Sequence, residues 1–267
     1  MESFNKPTLK SLNTTIHAQV NANETTLFSL YDRPNLSKNS LGILFFIGAD
    51  NVGKNLLAHE IAIQDARIEH YKLFDMAHYD SEESSNDLYS ITLDEEGNSL
   101  PFGSLYSQLI AYPKSLIVFD KIDEAHIKVQ SFISQMLNDP VSFNLDFKDT
   151  LIIFTTSQGQ KLYAQKEFLS LVQSKPLHAR AIMIEHLSSL MFSTNEPFFN
   201  EHFLELIKNE PIITFESLTY KSISEIAIQL LYKNNTLLNE TFSNKISFDE
   251  EVITLLTLSF IPYVNAK

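Results

Sequence analysis

The strongest constraint on the fold is a set of short apolar runs, each long enough for one strand. The runs "LGILFFIG", "SLIVFD" and "TLIIFTTS" begin at Leu41, Ser115 and Thr150 and are typical of strands that are buried on both faces. The first two are followed by segments with apolar residues at helical spacing. Strands that alternate with amphipathic helices predict an α/β fold, a parallel sheet with helices on both faces.

The apolar residues of the two predicted helices define the faces that we expect to be buried. In the helix after the first strand they are Leu56, Leu57, Ile61 and Ile63. In the helix after the second strand they are Ile127, Phe132, Ile133, Met136 and Leu137. Both sets fall near the spacing of one helix face.

Two further regions differ from this alternating pattern. Residues 78–103, "HYDSEESSNDLYSITLDEEGNSLPFG", are rich in Asp, Glu and Ser, and we expect a largely exposed loop. From about Ala179 onward helical patterns dominate, and a late segment has Ser247 ahead of Glu250, the spacing of a capping box. We place a boundary near Thr214, which divides the chain into a core domain at 1–213 and a helical piece at 214–267.

Composition excludes several classes of function. The chain has no Cys, which removes disulfide frameworks and thiolate metal sites. Its net charge of −13, without a basic cluster, argues against nucleic acid as a partner. The apolar runs are too short to span a bilayer, and the segment "MESFNKPTLK" lacks the apolar centre of a signal peptide. We therefore expect a cytoplasmic protein that neither inserts into a membrane nor binds nucleic acid.

The segment "GADNVGKN" after the first strand has the form of a phosphate-binding loop. Gly48, Gly53 and Lys54 satisfy the pattern G-x-x-x-x-G-K-[ST], but Asn55 stands where a magnesium-binding hydroxyl is expected. In such a loop, backbone N–H groups ahead of a helix hold phosphate oxygens and the lysine reaches the outer phosphates. The alternative is a strand-to-helix turn that merely needs glycines. The predicted binding residues are Gly48, Ala49, Asp50, Asn51, Val52, Gly53, Lys54, Asn55 and Leu56.

A second motif follows the second strand, in "SLIVFDKIDEAH". Asp120 ends the strand, as a metal-binding carboxylate would, but Lys121 follows it where a glutamate is expected to polarise water. A charged lysine cannot accept a proton, so the motif lacks a general base. The string "DEAH" from Asp123 is read as a solvated acidic turn that opens a helix, since a helicase would need arginines and a basic surface.

Taken in order, these segments resemble the second ATPase module of ClpB-type AAA+ chaperones, the family that includes the ClpV secretion-system ATPase. The resemblance also rests on "LNTTIHAQVNA" (residues 12–22), "LFDM" (73–76), "TLIIFTTSQGQ" (150–160), "FFNEHFLELI" (198–207) and the segments after residue 213. In the first of these, Gln19 matches the family and Ala18 replaces a usual Gly. The resemblance implies a P-loop AAA+ fold, three layers around a parallel sheet, with a short, truncated helical lid.

Carried over by residue, the resemblance assigns phosphate binding to Lys54 and a metal-binding carboxylate to Asp120. It puts Lys121 at the catalytic Glu position, Ser157 at the sensor Asn, and Leu206 at the arginine finger, which stabilises transition-state charge in a neighbouring subunit's site. It also aligns Lys267 with the lid arginine that touches the nucleotide. No catalytic residue is predicted. ATP or ADP is the expected ligand, while Asn55 argues against Mg²⁺.

The resemblance further implies protein partners, either an intact AAA+ relative or a secretion-system component. The family's Gly-Tyr-Val-Gly pore loop corresponds to about Asp94–Pro101, which has no central aromatic residue. Phe102 and Tyr106 nearby are interpreted as core or loop anchors.

Three hypotheses stay open at this point. The first is a degenerate ATPase that binds nucleotide and acts as a scaffold or regulator. The second is an active ATPase in which Asp123 or Glu124 replaces the base, or in which Arg180 replaces the finger. The third is an interaction module that binds no nucleotide.

Overall fold

A computed structural model describes residues 5–32, 39–97, 99–163, 165–192 and 194–242, together with 251, 252, 254, 255 and 258. The expected capping box at Ser247 and Glu250 and the expected nucleotide contact of Lys267 lie outside these residues. Within the described part of the chain, no helix combines the length and the apolar character needed to cross a membrane.

The helices and strands alternate through most of the chain. The helices are α1 (Leu9–Thr15), α2 (Val20–Leu27), α3 (Lys54–Gln64), α4 (Ser85–Leu88), α5 (Ser104–Ala111), α6 (Ile127–Asn138), α7 (Gln160–Tyr163), α8 (Lys166–Ser174), α9 (Pro176–Ser189), α10 (Glu201–Ile207) and α11 (Tyr220–Phe242). The strands are β1 (Ser40–Ile47), β2 (His70–Asp75), β3 (Ser90–Leu93), β4 (Ser99–Phe102), β5 (Ser115–Asp120), β6 (Phe147–Thr156) and β7 (Ile212–Thr214). A π-helical turn at Phe28–Asp32 extends α2, and 3-10 turns lie at Met76–His78, Ile122–Glu124 and Pro140–Phe143.

The main sheet has five strands in the order β2-β5-β6-β1-β7, all paired in parallel. Because β6 lies between β1 and β5, the carboxyl ends of these three strands meet at one edge of the sheet. In open parallel sheets ligands bind at this edge. The predicted α/β class with a parallel sheet is confirmed.

Two apolar cores cover the two faces of the sheet, and the alternation of strand side chains divides residues between them. In β1, Ile43, Phe45 and Ile47 belong to one cluster, while Leu44 and Phe46 belong to the other. The same division recurs in β5 and β6. The helices of each face close these cores, which gives the three layers expected of the fold.

The structure departs from the sequence-based expectations in several places. Residues 90–93 and 99–102 pair as an antiparallel hairpin within the segment expected to be loop. The short strand β7 was not predicted, and it pairs with β1 through Phe45↔Ile212 and Phe46↔Ile213.

Some side chains that were expected to be buried are exposed. Leu56 and Ile63 are 46% and 65% exposed, because only Leu57 and Ile61 of the predicted apolar face of α3 point at the sheet. Phe102 is 48% exposed and so is no core anchor, whereas Tyr106 packs edge-on against the buried Tyr89.

Candidate functional site

The predicted phosphate loop joins the carboxyl end of β1 to the first turn of α3. Gly48 follows β1 directly, and a Cβ at this position would lie 2.6 Å from the Cβ of Phe215. Gly53 precedes α3 with φ +105°, a left-handed conformation that favours glycine. Asn51 also has positive φ, at 61°. The two glycines of the motif therefore meet two separate backbone requirements.

Lys54 is the first residue of α3 and is only 8% exposed. Its Nζ donates to the carbonyl oxygens of Gly48 at 2.6 Å and Ala49 at 2.7 Å, so the ammonium lies inside the loop. Burial lowers the pKa of Lys54 to about 8, although the carboxylates of Asp50, Asp120 and Asp123 act in the opposite direction. The lysine is thus positioned where an anion held by the loop would meet it.

Asn55 follows Lys54 in the first turn of α3. Its Oδ1 is buried and has no hydrogen-bond partner among the described residues. Such an acceptor is satisfied by a cation or by an N–H or O–H group of a bound molecule. Leu56, the last residue of the predicted binding segment, is 46% exposed and lines a cavity at the start of α3.

A buried glutamine joins the loop to the segment that follows the edge strand β7. Gln19 donates from Nε2 to the carbonyl oxygens of Val52 at 3.2 Å and Glu216 at 2.8 Å, and its Oε1 accepts from the Glu216 N–H at 2.9 Å. Ala18 ahead of it has φ +59°, which is why glycine is the favoured residue there. Gln19 was noted in the sequence only as a family match, and its role in holding the loop was not predicted.

An apolar cavity of about 490 Å³ lies beside the loop. One wall is the end of α1 with the following turn, a second is the loop at residues 51–53, and a third is α11. The α11 residues that line it are Ile223, Ile226, Ala227 and Leu230. Their spacing of three and four residues was visible in the sequence, but it does not say which surface the helix covers.

The carboxyl end of β5 forms the second half of the candidate site. Asp120 Oδ1 accepts from the hydroxyl of Thr155 at 2.5 Å, and the same hydroxyl oxygen accepts from the backbone N–H of Lys121 at 3.0 Å. Lys121 has a left-handed backbone, with φ 56° and ψ 53°. Its Nζ lies 3.3 Å from Glu124 Oε1.

Lys121 keeps its charge at this position. Partial burial acts to lower the pKa of Lys121, but the carboxylates of Glu124, Asp50 and Asp75 outweigh it and raise that pKa above its ordinary value. Asp50 lies in the loop after β1, so the charges of the two strand ends act on one another.

Asp123 corrects the expectation of a solvated acidic turn. It lies in the 3-10 turn after β5, is only 2% exposed, and accepts from the hydroxyl of Thr156 at 2.6 Å and from Gln158 Nε2 at 3.0 Å. Burial raises the pKa of its carboxyl, while these two hydrogen bonds act to lower it. Asp123 therefore ties the turn after β5 to the end of β6. The helix that follows begins only at Ile127.

The remaining predicted positions are spread around this edge. Ser157 follows β6 directly and is half-buried. Leu206, at the arginine-finger position, lies in α10 and packs against the apolar core on the β1 Phe45 side. Arg180 lies in α9, where its Nη1 donates to the carbonyl of Asn209 at 3.4 Å. The predicted finger position thus carries no charge, and Arg180 contacts the segment that follows α10.

The positive charge at this edge, more than its oxygen donors, acts against Mg²⁺. Mg²⁺ favours one or two carboxylates with near-octahedral geometry. Asp120 shares one oxygen with Thr155, Asn55 adds a single neutral amide oxygen, and Lys121 follows Asp120 in the chain. No group of three or more His, Cys, Asp or Glu side chains suited to a metal ion occurs among the described residues.

Comparison with known proteins gives one family and several relatives. The AAA domain (Cdc48 subfamily) matches residues 39–213. The chaperone protein ClpB of Lactiplantibacillus plantarum is 30% identical over 202 residues, which is 72% of this chain and 21% of that protein. The ATP-dependent Clp protease ATP-binding subunit ClpC of Staphylococcus aureus is 26% identical over 240 residues, which is 86% of this chain and 28% of that protein. The chain thus spans less than a third of the length of either relative.

Proposed function

Because the chain belongs to the AAA domain family (Cdc48 subfamily) and is a Clp-type AAA+ protein, we propose that it binds ATP or ADP without hydrolysing it at an enzymatic rate. Its work is then that of a scaffold or regulator that acts through protein contacts. The loop with Lys54 holds the nucleotide, and the end of β5 lacks what cleavage requires.

The observation that carries this proposal is the lysine at the position of the general base. Lys121 stays charged and pairs with Glu124, so it cannot take a proton from water. A general base typically raises the reaction rate by about 10²–10⁴-fold. An arginine finger contributes roughly 10³–10⁵-fold, and Leu206 offers no charge in its place.

Two features support nucleotide binding. The buried Lys54 ammonium lies within a loop that precedes a helix, where backbone N–H groups and the helix N-terminus favour an anion. The adjoining cavity of about 490 Å³ is mainly apolar, which suits a planar base. Both features lie at the carboxyl edge of a parallel sheet, where such ligands bind.

The first experiment is calorimetric titration of the whole chain with ADP and ATP, combined with a phosphate-release assay. We expect heat of binding for at least one nucleotide, loss of that heat in Lys54→Ala, and no phosphate release beyond background. Turnover of about 1 per second or faster, within the usual enzyme range, would contradict the proposal.

The active-ATPase hypothesis needs another base near the loop. Both oxygens of Asp123 already accept hydrogen bonds, and Glu124 is paired with Lys121. If phosphate release is nevertheless measured, the double variant Asp123→Asn, Glu124→Gln decides whether either residue is responsible. Unchanged release in that variant would eliminate both.

The hypothesis of an interaction module without nucleotide draws on one observation. The Lys54 ammonium donates to two carbonyl oxygens of its own loop, as it could in a loop that binds no ligand. The same titration separates the cases, since a relic loop gives no heat with either nucleotide.

The partner, the location and the domain division are part of the same proposal. One relative is named a chaperone protein and the other an ATP-binding subunit of an ATP-dependent protease, which supports a protein partner. The resemblance of the sequence motifs suggests that this partner is an intact AAA+ relative or a secretion-system component. The cytoplasmic location and the division near Thr214 into a core domain and a lid rest on the composition and the sequence patterns.

A further inference from the structure

The carboxyl edge of the sheet carries two ammonium groups that come from different strands. Lys54 follows β1 through the loop, and Lys121 follows β5 directly. Asp50, in the loop itself, acts electrostatically on both lysines. An anion that occupied the loop would therefore meet a positive group from each strand end.

The backbone of Lys121 is fixed, while its side chain is free to change partners. Its N–H donates to Thr155 Oγ1 at 3.0 Å, and its left-handed conformation is one that non-glycine residues rarely adopt. The side chain is 37% exposed, and its ammonium is held by one half-exposed carboxylate, Glu124, at 3.3 Å. Exposed ion pairs of this kind are weak. A phosphate group, with more than one negative charge, would compete for the ammonium.

Nucleotide phosphates need positive charge around them, which a divalent cation normally supplies. At this edge Mg²⁺ would meet one carboxylate, Asp120, and one neutral amide, Asn55, and the charged Lys121 directly follows that carboxylate in the chain. Lys121 stands where the resemblance places the glutamate that acts as general base. This position at the end of β5 therefore carries a positive charge in place of a negative one. A positive side chain could supply there the charge that a metal ion supplies in other nucleotide sites.

We propose that Lys121 takes the place of the divalent cation, so that the site binds ADP and ATP as metal-free anions between Lys54 and Lys121. This inference rests on the proposed nucleotide binding and names the form of the nucleotide that is bound. Asn55 then contacts the ligand or water through its amide instead of coordinating a metal.

The test is calorimetric titration of the whole chain with ADP and with ATP, once in EDTA and once in excess Mg²⁺. We expect dissociation constants that agree within about twofold between the two conditions, since no metal takes part in binding. Lys121→Gln should weaken binding in EDTA by about tenfold, the loss of roughly one charge-assisted hydrogen bond. A double variant, Asn55→Thr with Lys121→Glu, should bind only when Mg²⁺ is present.

The matched control is Lys128→Gln. Lys128 is also an exposed lysine paired with a carboxylate, that of Glu82 at 2.5 Å, but it lies on α6 and acts on neither the loop nor Lys54. It should leave both dissociation constants unchanged. Circular dichroism and thermal melting of each variant show whether it is folded, and both lysines are exposed enough that folding should be preserved.

The outcomes separate the two proposals. If the wild-type chain gives no heat with either nucleotide, nucleotide binding itself is wrong. If the chain binds nucleotide but at least tenfold more tightly with Mg²⁺, or if Lys121→Gln equals the wild type in EDTA, the role of Lys121 is overturned while nucleotide binding stands.

Discussion

The loop after β1 and the turn after β5 lie at the same edge of the sheet, yet they offer different groups to a ligand. The loop retains its two conformationally required glycines and a buried lysine. The turn retains Asp120 but has a cation at the position of the base, and its other carboxylate, Asp123, is used to join β5 to β6. Holding a phosphate depends on backbone N–H groups and one lysine, whereas cleaving it needs a base, a metal and a finger. The two abilities are separable because different strand ends supply them.

The largest expected effect comes from the loop. Lys54→Ala removes the only charged donor that the loop itself contributes, and we expect the free energy of ADP binding to weaken by about 1.5–3 kcal/mol, roughly 10- to 150-fold in affinity. Calorimetric titration measures this loss. Lys128→Ala, which removes an exposed ammonium on α6, serves as the control. Equal affinity in wild type and Lys54→Ala would mean that the loop does not hold the phosphates.

In the turn after β5 we expect a substitution of Asp123 to change the stability of the fold and not the affinity for nucleotide. Asp123→Ala leaves the Thr156 hydroxyl and the Gln158 amide without their acceptor, so the free energy of unfolding should fall by about 1–3 kcal/mol. Asp123→Asn keeps one acceptor oxygen and should cost less. Denaturant titration gives the free energies, and calorimetry of the folded variant should give an unchanged ADP dissociation constant. A large loss of ADP affinity in Asp123→Asn would show that the two strand ends are not separable.

A smaller effect tests the support behind the loop. Ala18 has a left-handed backbone, so Ala18→Gly should raise the free energy of unfolding by about 0.5–1 kcal/mol, the relief of strain less the added entropy of the unfolded chain. The same substitution at Ala62, within α3, should lower it by about 1 kcal/mol. Denaturant titration of both variants shows whether the free energy of unfolding rises or falls. A loss of stability in Ala18→Gly would mean that the backbone at residue 18 is not strained.

The smallest expected effect is the uptake of a fraction of a proton by Lys54 when nucleotide binds. The pKa of Lys54 is lowered to about 8, chiefly by burial, and a bound anion raises it again. Near pH 8 Lys54 should therefore take up to about half a proton from solution when nucleotide binds, and this contribution of Lys54 should vanish below about pH 6.5, where the lysine is already charged. Calorimetry in buffers of different ionisation enthalpy measures the uptake.

The lowered pKa of Lys54 also determines whether the stability of the fold rises or falls with pH. Because the folded-state pKa of Lys54 lies below the ordinary lysine value, the unfolded chain binds more protons between about pH 8 and pH 10.4. The contribution of Lys54 to the free energy of unfolding therefore rises with pH across this window. Without nucleotide, Lys54→Met should lack that contribution; an identical pH dependence in wild type and variant would show that the lysine is not buried as described.

Much of the fold could be predicted from residue patterns. The apolar runs that end at Ile47, Asp120 and Thr156 are strands, because a fully buried strand must be apolar on both faces. The strand β7 was missed since it has three residues, and its place depends on the free edge of β1. The hairpin at residues 90–93 and 99–102 was missed because its strands have only four residues each and the acidic segment between them is typical of a loop. The two strands stabilise each other by pairing.

Some features of the candidate site could likewise be predicted from the sequence, and others could not. The sequence by itself determined the glycines, Lys54 and the charge at Lys121, because these follow from residue type and from spacing along the chain. The tertiary structure alone decided that Lys54 lies inside its loop, that Gln19 and α11 close around it, and that Asp123 is buried against β6. Those contacts join segments far apart in the chain, and local periodicity carries no information about which surfaces meet.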